Sequence, residues 1–207
     1  MRILRLAAAV ATLAVGCRPH APPPAVAEAP PAPAAEEPPP PPKCESLEER
    51  CVAKEGVRVS IEGAPWTMAA PAGWTYAKVA SGLVAVSEGS ALAVHARAVA
   101  DKKKPPRAEA LAAVVEHLRV TFAKRKGKLE LPRRADKTIA VGPLKIALYQ
   151  LDGATRESKS GPLLVFATTL PEGPLLVGGG FVPQDDATNA DAAILAAIES
   201  LAPEKAP

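Results

Sequence analysis

The chain has 207 residues, with 25 basic and 22 acidic side chains, 48% hydrophobic residues, 24 prolines and only 3% aromatics. The hydrophobic fraction excludes a wholly disordered chain, the length allows one or two domains, and a formal net charge of +3 is too small to argue for nucleic acid. Beyond the N-terminus no apolar run reaches the roughly 18 residues that a spanning helix needs.

The first 16 residues read as a secretory signal. Arg2 and Arg5 form a charged start, and Leu6 opens an apolar stretch, 6–15, too short to span a membrane. The segment Leu13-Ala14-Val15-Gly16-Cys17 resembles a bacterial lipoprotein signal, with Ala14 where that family usually carries Leu. The resemblance implies removal of residues 1–16 and a palmitate-type lipid on Cys17, which becomes the first mature residue. The alternative is ordinary cleavage nearby, which leaves Cys17 a stray thiol. The lipid makes the membrane a partner and faces the protein to the periplasm. Arg18, standing where an Asp signals inner-membrane retention, leans it to the outer membrane. Loss of Arg2 and Arg5 leaves 23 basic against 22 acidic residues, so no charge-driven partner is expected.

Residues 17–43 follow as a lipidated cysteine and a disordered linker. Twelve prolines lie between Pro19 and Pro42, with seven alanines and no aromatic. Such a segment buries no core and favours polyproline II, reaching on the order of 80 Å at full extension. One globular domain is expected over 44–207. With Cys17 lipidated, Cys44 and Cys51 remain as an even pair in an oxidising compartment and are expected to form a disulfide. Ser46-Leu47-Glu48-Glu49 reads as a capping box opening a short helix. Cysteines seven apart within one helix stand about 10.5 Å apart along its axis, too far to bridge. Cys44 must therefore precede the cap and fold back. A metal here lacks a nearby His and a second cysteine pair.

From Val57 the pattern becomes β. Val57, Val59 and Ile61 alternate with Arg58, Ser60 and Glu62 as a half-buried strand. Strands flank the turn Pro71-Ala72-Gly73, one before it at 65–68 and one after it at 74–76. Strands 83–87 and 91–99 form a hairpin across Glu88-Gly89-Ser90. A helix is expected over 106–126, with Leu111, Val115, Leu118 and Phe122 as one apolar stripe, cations at 124–126 in its last turn and Gly127 as its stop. Strands return at 138–141, 144–151, 162–170 and 174–182, the third apolar enough to be covered on both faces. Thr188 and Asp191 resemble an N-cap and its acidic third position. They open a final helix with Ile194, Ile198 and Leu201 on one face, ended by Pro203.

The order of elements, the Pro71-Ala72-Gly73-Trp74 segment and the closing Ile198-Glu199-Ser200-Leu201 resemble the PsbP-like and DcrB-like superfamily over roughly residues 57–202. The resemblance implies an α+β domain: an antiparallel sheet of about six to eight strands flanked by two main helices, as an α/β/α sandwich. It implies an accessory or interaction role without catalysis. That family has no shared catalytic motif, so no functional residue carries over.

Chemistry is sparse. His20 lies in the linker. His117 sits off the apolar stripe and reads as solvated. His95 alternates with Leu92, Val94 and Ala96, so it points with Arg97 to the other sheet face, where the two are candidate groove residues. Trp66, Trp74 and Tyr76 flank one turn; core packing is the first reading for them, and a ligand platform at Trp74 and Tyr76 the second. Gly178-Gly179-Gly180 lacks the following Lys-Ser/Thr of a phosphate loop and reads as close packing in a strand. Asp185, Asp186, Asn189 and Asp191 read as a surface loop with a helix cap rather than a calcium site. Two basic groups, Lys102-Lys103-Lys104 with Arg107 and the cations of 124–134, read as solvated loops, with anionic lipid or a cell-wall polymer as the sharper alternative. The sequence thus describes a lipid-anchored envelope protein that is not an enzyme, needs no cofactor or metal, and binds an unknown envelope protein. The alternative is a module binding a small molecule or cell-wall polymer.

Overall fold

A computed structural model describes residues 42–100, 106–123, 129–171, 173–186 and 189–204. The expected signal, Cys17, His20, nearly all of the linker, the lysines of 102–104, residues 124–128 and Thr188 lie outside the described residues.

The elements run β1 (Cys51–Val52), β2 (Arg58–Ser60), β3 (Trp66–Ala69), β4 (Thr75–Val79), β5 (Gly82–Val86), β6 (Ala91–Arg97), α1 (Arg107–Leu118), β7 (Thr121–Phe122), β8 (Lys137–Val141), β9 (Leu144–Arg156), β10 (Lys159–Thr169), β11 (Leu175–Phe181), α2 (Ala190–Glu199) and β12 (Ala202–Pro203). Nine strands form one antiparallel sheet in the order β1-β4-β5-β6-β11-β10-β9-β7, with β8 also paired to β9. A second, three-stranded sheet has the order β12-β3-β2. This is a sheet-rich α+β fold with two helices. The large sheet has nine strands rather than the expected six to eight, because β1 and β7 are two residues each and too short to show an alternating pattern.

The pleat sorts the side chains into two cores. Leu92, Val94 and Ala96 of β6 pack with the small sheet and with Ile194 and Ile198 of α2. Ala91 and Ala93 of the same strand pack with Leu111, Val114 and Leu118 of α1. β10 is buried on both faces, as its apolar run predicts: Leu163 and Val165 serve the α1 core, and Phe166 serves the α2 core. The Gly178–Gly180 run in β11 is where the layers come closest. An added Cβ on Gly179 meets Val114 and Leu118 of α1 at 3.0 and 3.2 Å. One on Gly180 meets Ile194 of α2 at 2.6 Å. At Gly180 only a position without a side chain lets α2 approach this closely.

Several boundaries differ from the sequence reading. α1 stops at Leu118, not at residue 126. Arg119 turns left-handed (φ 54°), and its amide bonds to the Glu116 carbonyl. Val120 and Thr121 are β-branched and lead into β7, so Phe122 belongs to a strand. The hairpin at Glu88-Gly89-Ser90 forms as expected, but β6 ends at Arg97. Val57 is 41% exposed and lies outside β2, whereas Val59 and Ile61 are buried. α2 opens at Ala190 with Asn189 as its N-cap, and the cap bond comes from Asp186, whose carboxylate accepts the Ala190 amide at 3.0 Å. Pro203 does more than end that helix, since Ala202–Pro203 pairs with β3.

An arginine closes the C-terminal end of each helix. Arg156, itself buried, donates from Nε to the Leu118 carbonyl at 3.1 Å and from Nη1 to the Gly89 carbonyl at 3.2 Å, and it pairs with Glu157 at 2.9 Å. Arg58 donates to the Ser200 carbonyl at the end of α2 and to the Thr67 side chain. Each supplies a donor and positive charge where the helix presents unsatisfied carbonyls.

Candidate functional site

A disulfide stands near the start of the described residues. Cys44 and Cys51 are bonded with their Cα atoms 5.7 Å apart, and the intervening residues form a single 3-10 turn, Leu47–Glu49. Cys44 stands before the turn and folds back, as the spacing requires. Ser46 makes no side-chain cap bond. The Glu49 carboxylate instead accepts the amides of Cys44 (2.8 Å) and Glu45 (3.0 Å). Those bonds, the Cys44 amide foremost, hold the Glu49 carboxyl below its usual range. Cys51 then enters β1 opposite Tyr76 on β4, at the edge of the large sheet.

The four candidate ligand residues fall on two sides of that sheet. Trp74 is 7% exposed and packs in the α2 core. Tyr76 is half-buried against the same core. His95 and Arg97 point to the α1 face, as the alternation along β6 predicts. A groove combining all four is not formed.

On the α1 face the structure brings in a residue that sequence reasoning set aside. His117, in the last turn of α1, is half-buried rather than solvated, and its ring lies 6.2 Å from that of His95 at a tilt of 43°. His95 is itself buried, and its Nδ1 is enclosed with no hydrogen-bond partner. Burial pushes the His95 imidazole below its ordinary range, and the charges of His117 and Arg97 push the same way. Across the sheet His95 faces Gly82 on β5 and Val177 on β11, neither of which offers a polar side chain. No sequence signal announced this pairing, because it depends on how far along β6 the helix comes to rest.

A second feature lies on the outer side of α1. A hollow of about 630 Å³ is lined by Ala108, Ala112, Val115, Val120, Leu129 and Arg119 among others. Val115, expected in the core stripe, is half-buried between that core and this hollow, while Ala110 and Val114 are fully buried. Among the described residues no group of three His, Cys, Asp or Glu side chains is placed to hold a metal ion, the Asp185–Asp191 loop included.

No family model matches the chain, and no curated protein matches it. Among solved structures, a protein from Bacteroides thetaiotaomicron VPI-5482, known from a crystal structure at 1.50 Å resolution, is similar at 12% identity and a TM-score of 0.43. The likeness covers 73% of this chain and 50% of that one, so this chain spans half the length of its structural neighbour. A similarity of that size bears on neither family nor activity.

Proposed function

We propose that this chain is a lipid-anchored envelope protein without catalytic activity, whose domain binds a protein partner in an accessory role. The observation that carries the reading is the Cys44–Cys51 disulfide, which sits where the proline-rich segment meets the first strand. Disulfides persist in oxidising compartments such as the periplasm. The lipoprotein-like signal ending at Cys17 would deliver the chain there and tether it, with the outer membrane favoured by Arg18. Placement of α1 and α2 in the cores of opposite sheet faces supports the finer reading of a PsbP-like α/β/α sandwich. The test is fractionation of cells expressing the wild type and Cys17→Ala. The wild type partitions with membranes and the variant becomes soluble; identical partitioning of the two rejects the anchor. Cross-linking in intact cells, followed by capture and mass spectrometry, tests the partner: one dominant protein supports the accessory role.

The hollow beside α1 favours a second reading, a module that takes up a small, mostly apolar molecule, because its volume falls in the range of small-molecule sites. Native mass spectrometry of the purified chain would then show a bound small molecule that Ala112→Trp, which fills the hollow, removes.

A further inference from the structure

His95, His117 and Arg97 form a group of basic side chains, none of them in an ion pair among the described residues. Arg97 follows His95 by two residues on the same face of β6, about 7 Å along the strand. His117 descends from α1 to place its ring 6.2 Å from that of His95. Among the described residues none of the three side chains makes a hydrogen bond or ion pair, and the salt bridge is Arg156–Glu157, elsewhere. His95 is the decisive member. It is more than nine-tenths buried, yet its Nδ1 is enclosed without a partner. An unsatisfied buried polar atom costs about 1–3 kcal/mol, and an ordered water, an ion or a functional role is the usual reason a protein retains one.

We propose that His95, His117 and Arg97 form a binding site for a phosphate group. The spacing fits. A phosphate oxygen lies about 2.8 Å from the nitrogen that donates to it, so side chains some 6–7 Å apart can share one phosphate between them. Arg97 supplies a planar pair of donors, and each protonated imidazole supplies one more. Gly82, opposite His95 on β5, presents no polar or charged side chain to the site. Among the described residues, the charged groups facing the site are His117 from α1 and Arg97 from β6 itself, while β5 and β11 present Gly82 and Val177. A bound phosphate favours the protonated form of the His95 imidazole, which burial holds below its ordinary range, so affinity rises as pH falls. The site is independent of the anchor and of the partner proposed above.

The test is an NMR titration of the purified full chain with inorganic phosphate at about pH 6 and about pH 7.5, following the imidazole nitrogens at constant ionic strength. The expected result is saturable movement of the His95 and His117 signals, tighter at the lower pH and absent with chloride. Arg97→Ala and His117→Ala, both outside the buried core, each weaken it by about tenfold or more. Vesicles of phosphatidylglycerol, with phosphatidylcholine as the control, separate the sources. Displacement of inorganic phosphate by the anionic vesicles alone supports a headgroup site, and its absence supports a free phosphate or phosphate ester. Imidazole signals that do not saturate with phosphate, or that respond equally in Arg97→Ala, overturn the proposal.

Discussion

Replacing Gly180 with alanine tests the close approach of α2 to the sheet. Gly180 has an ordinary strand conformation, so the backbone accepts alanine, and loss of unfolded-state freedom alone would stabilise the fold by about 0.4–1 kcal/mol. The added methyl, however, lies 2.6 Å from Cγ2 and 2.8 Å from Cδ1 of Ile194, against the 3.5–4.0 Å of normal carbon contact. Ile194 is fully buried, and its branched side chain has one favoured rotamer in a helix, so relief requires α2 to move by about 1 Å. Such overpacking costs about 1–3 kcal/mol. The net expectation is a loss of about 1–2 kcal/mol, seen as a lower urea midpoint and a Tm lower by about 3–8 °C. Gly179→Ala is the control, since it meets only side-chain tips at 3.0–3.5 Å and should change stability by under about 0.5 kcal/mol. In the double variant Gly180→Ala/Ile194→Ala the methyl enters space that the truncation vacates, and the two losses should fall short of additivity by at least about 1 kcal/mol. A Gly180→Ala protein as stable as the wild type, or strictly additive losses, would refute the reasoning.

Three further expectations follow from particular contacts. Arg156→Ala strips the Leu118 and Gly89 carbonyls of their donor and should cost about 2–4 kcal/mol by urea melts, with hydrogen exchange rising first at the end of α1. Opening the Cys44–Cys51 bridge with reductant, or in a Cys44→Ser/Cys51→Ser chain, should lower stability by about 2–3 kcal/mol from loop entropy, and unprotected amides in β1 would report it. Burial, then His117 and Arg97, depress His95, so below its ordinary value of 6.5 the unfolded chain holds more protons than the folded one. Stability from this group is therefore complete above pH 6.5, declines as pH falls toward the folded value, and levels off beneath it. Urea midpoints should show that decline in the wild type and a shallower one in His95→Gln.

Local pattern carried much of the architecture. The alternation of 91–97 correctly placed Leu92, Val94 and Ala96 opposite His95, and the length of a seven-residue span in a helix correctly put Cys44 outside the turn. What escaped was set by the tertiary fold or by residues that give no warning. The apolar stripe of α1 continues to Phe122 in sequence, yet Arg119 adopts a left-handed conformation that a residue of its type does not advertise. The hairpin joining β9 to β10 turns through Glu157 and Ser158, both at positive φ, without the Asn or Gly that normally marks such a turn. Core packing, the first reading for Trp74 and Tyr76, agrees with the burial of the Trp74 ring and with Tyr76 packed half-buried against the same core. His117 was legible as a residue off the core stripe, while its meeting with His95 required the helix to be set down on the sheet.

The entry of the chain into the domain also decides how it bears load. Tension applied at Pro42 reaches Cys44 and crosses the covalent bridge to Cys51, so residues 45–50 are bypassed and the turn with its Glu49 bonds is not stretched. The first non-covalent link to feel the pull is the bond from the Lys78 amide to the Cys44 carbonyl, at 2.7 Å. Behind it stand the two paired residues of β1, then the reciprocal ties of Ala53 with Trp74 and Gly73, at 2.8 Å each. A pull at Pro42 is thus met at the sheet's margin, strand by strand, before it can reach either helix.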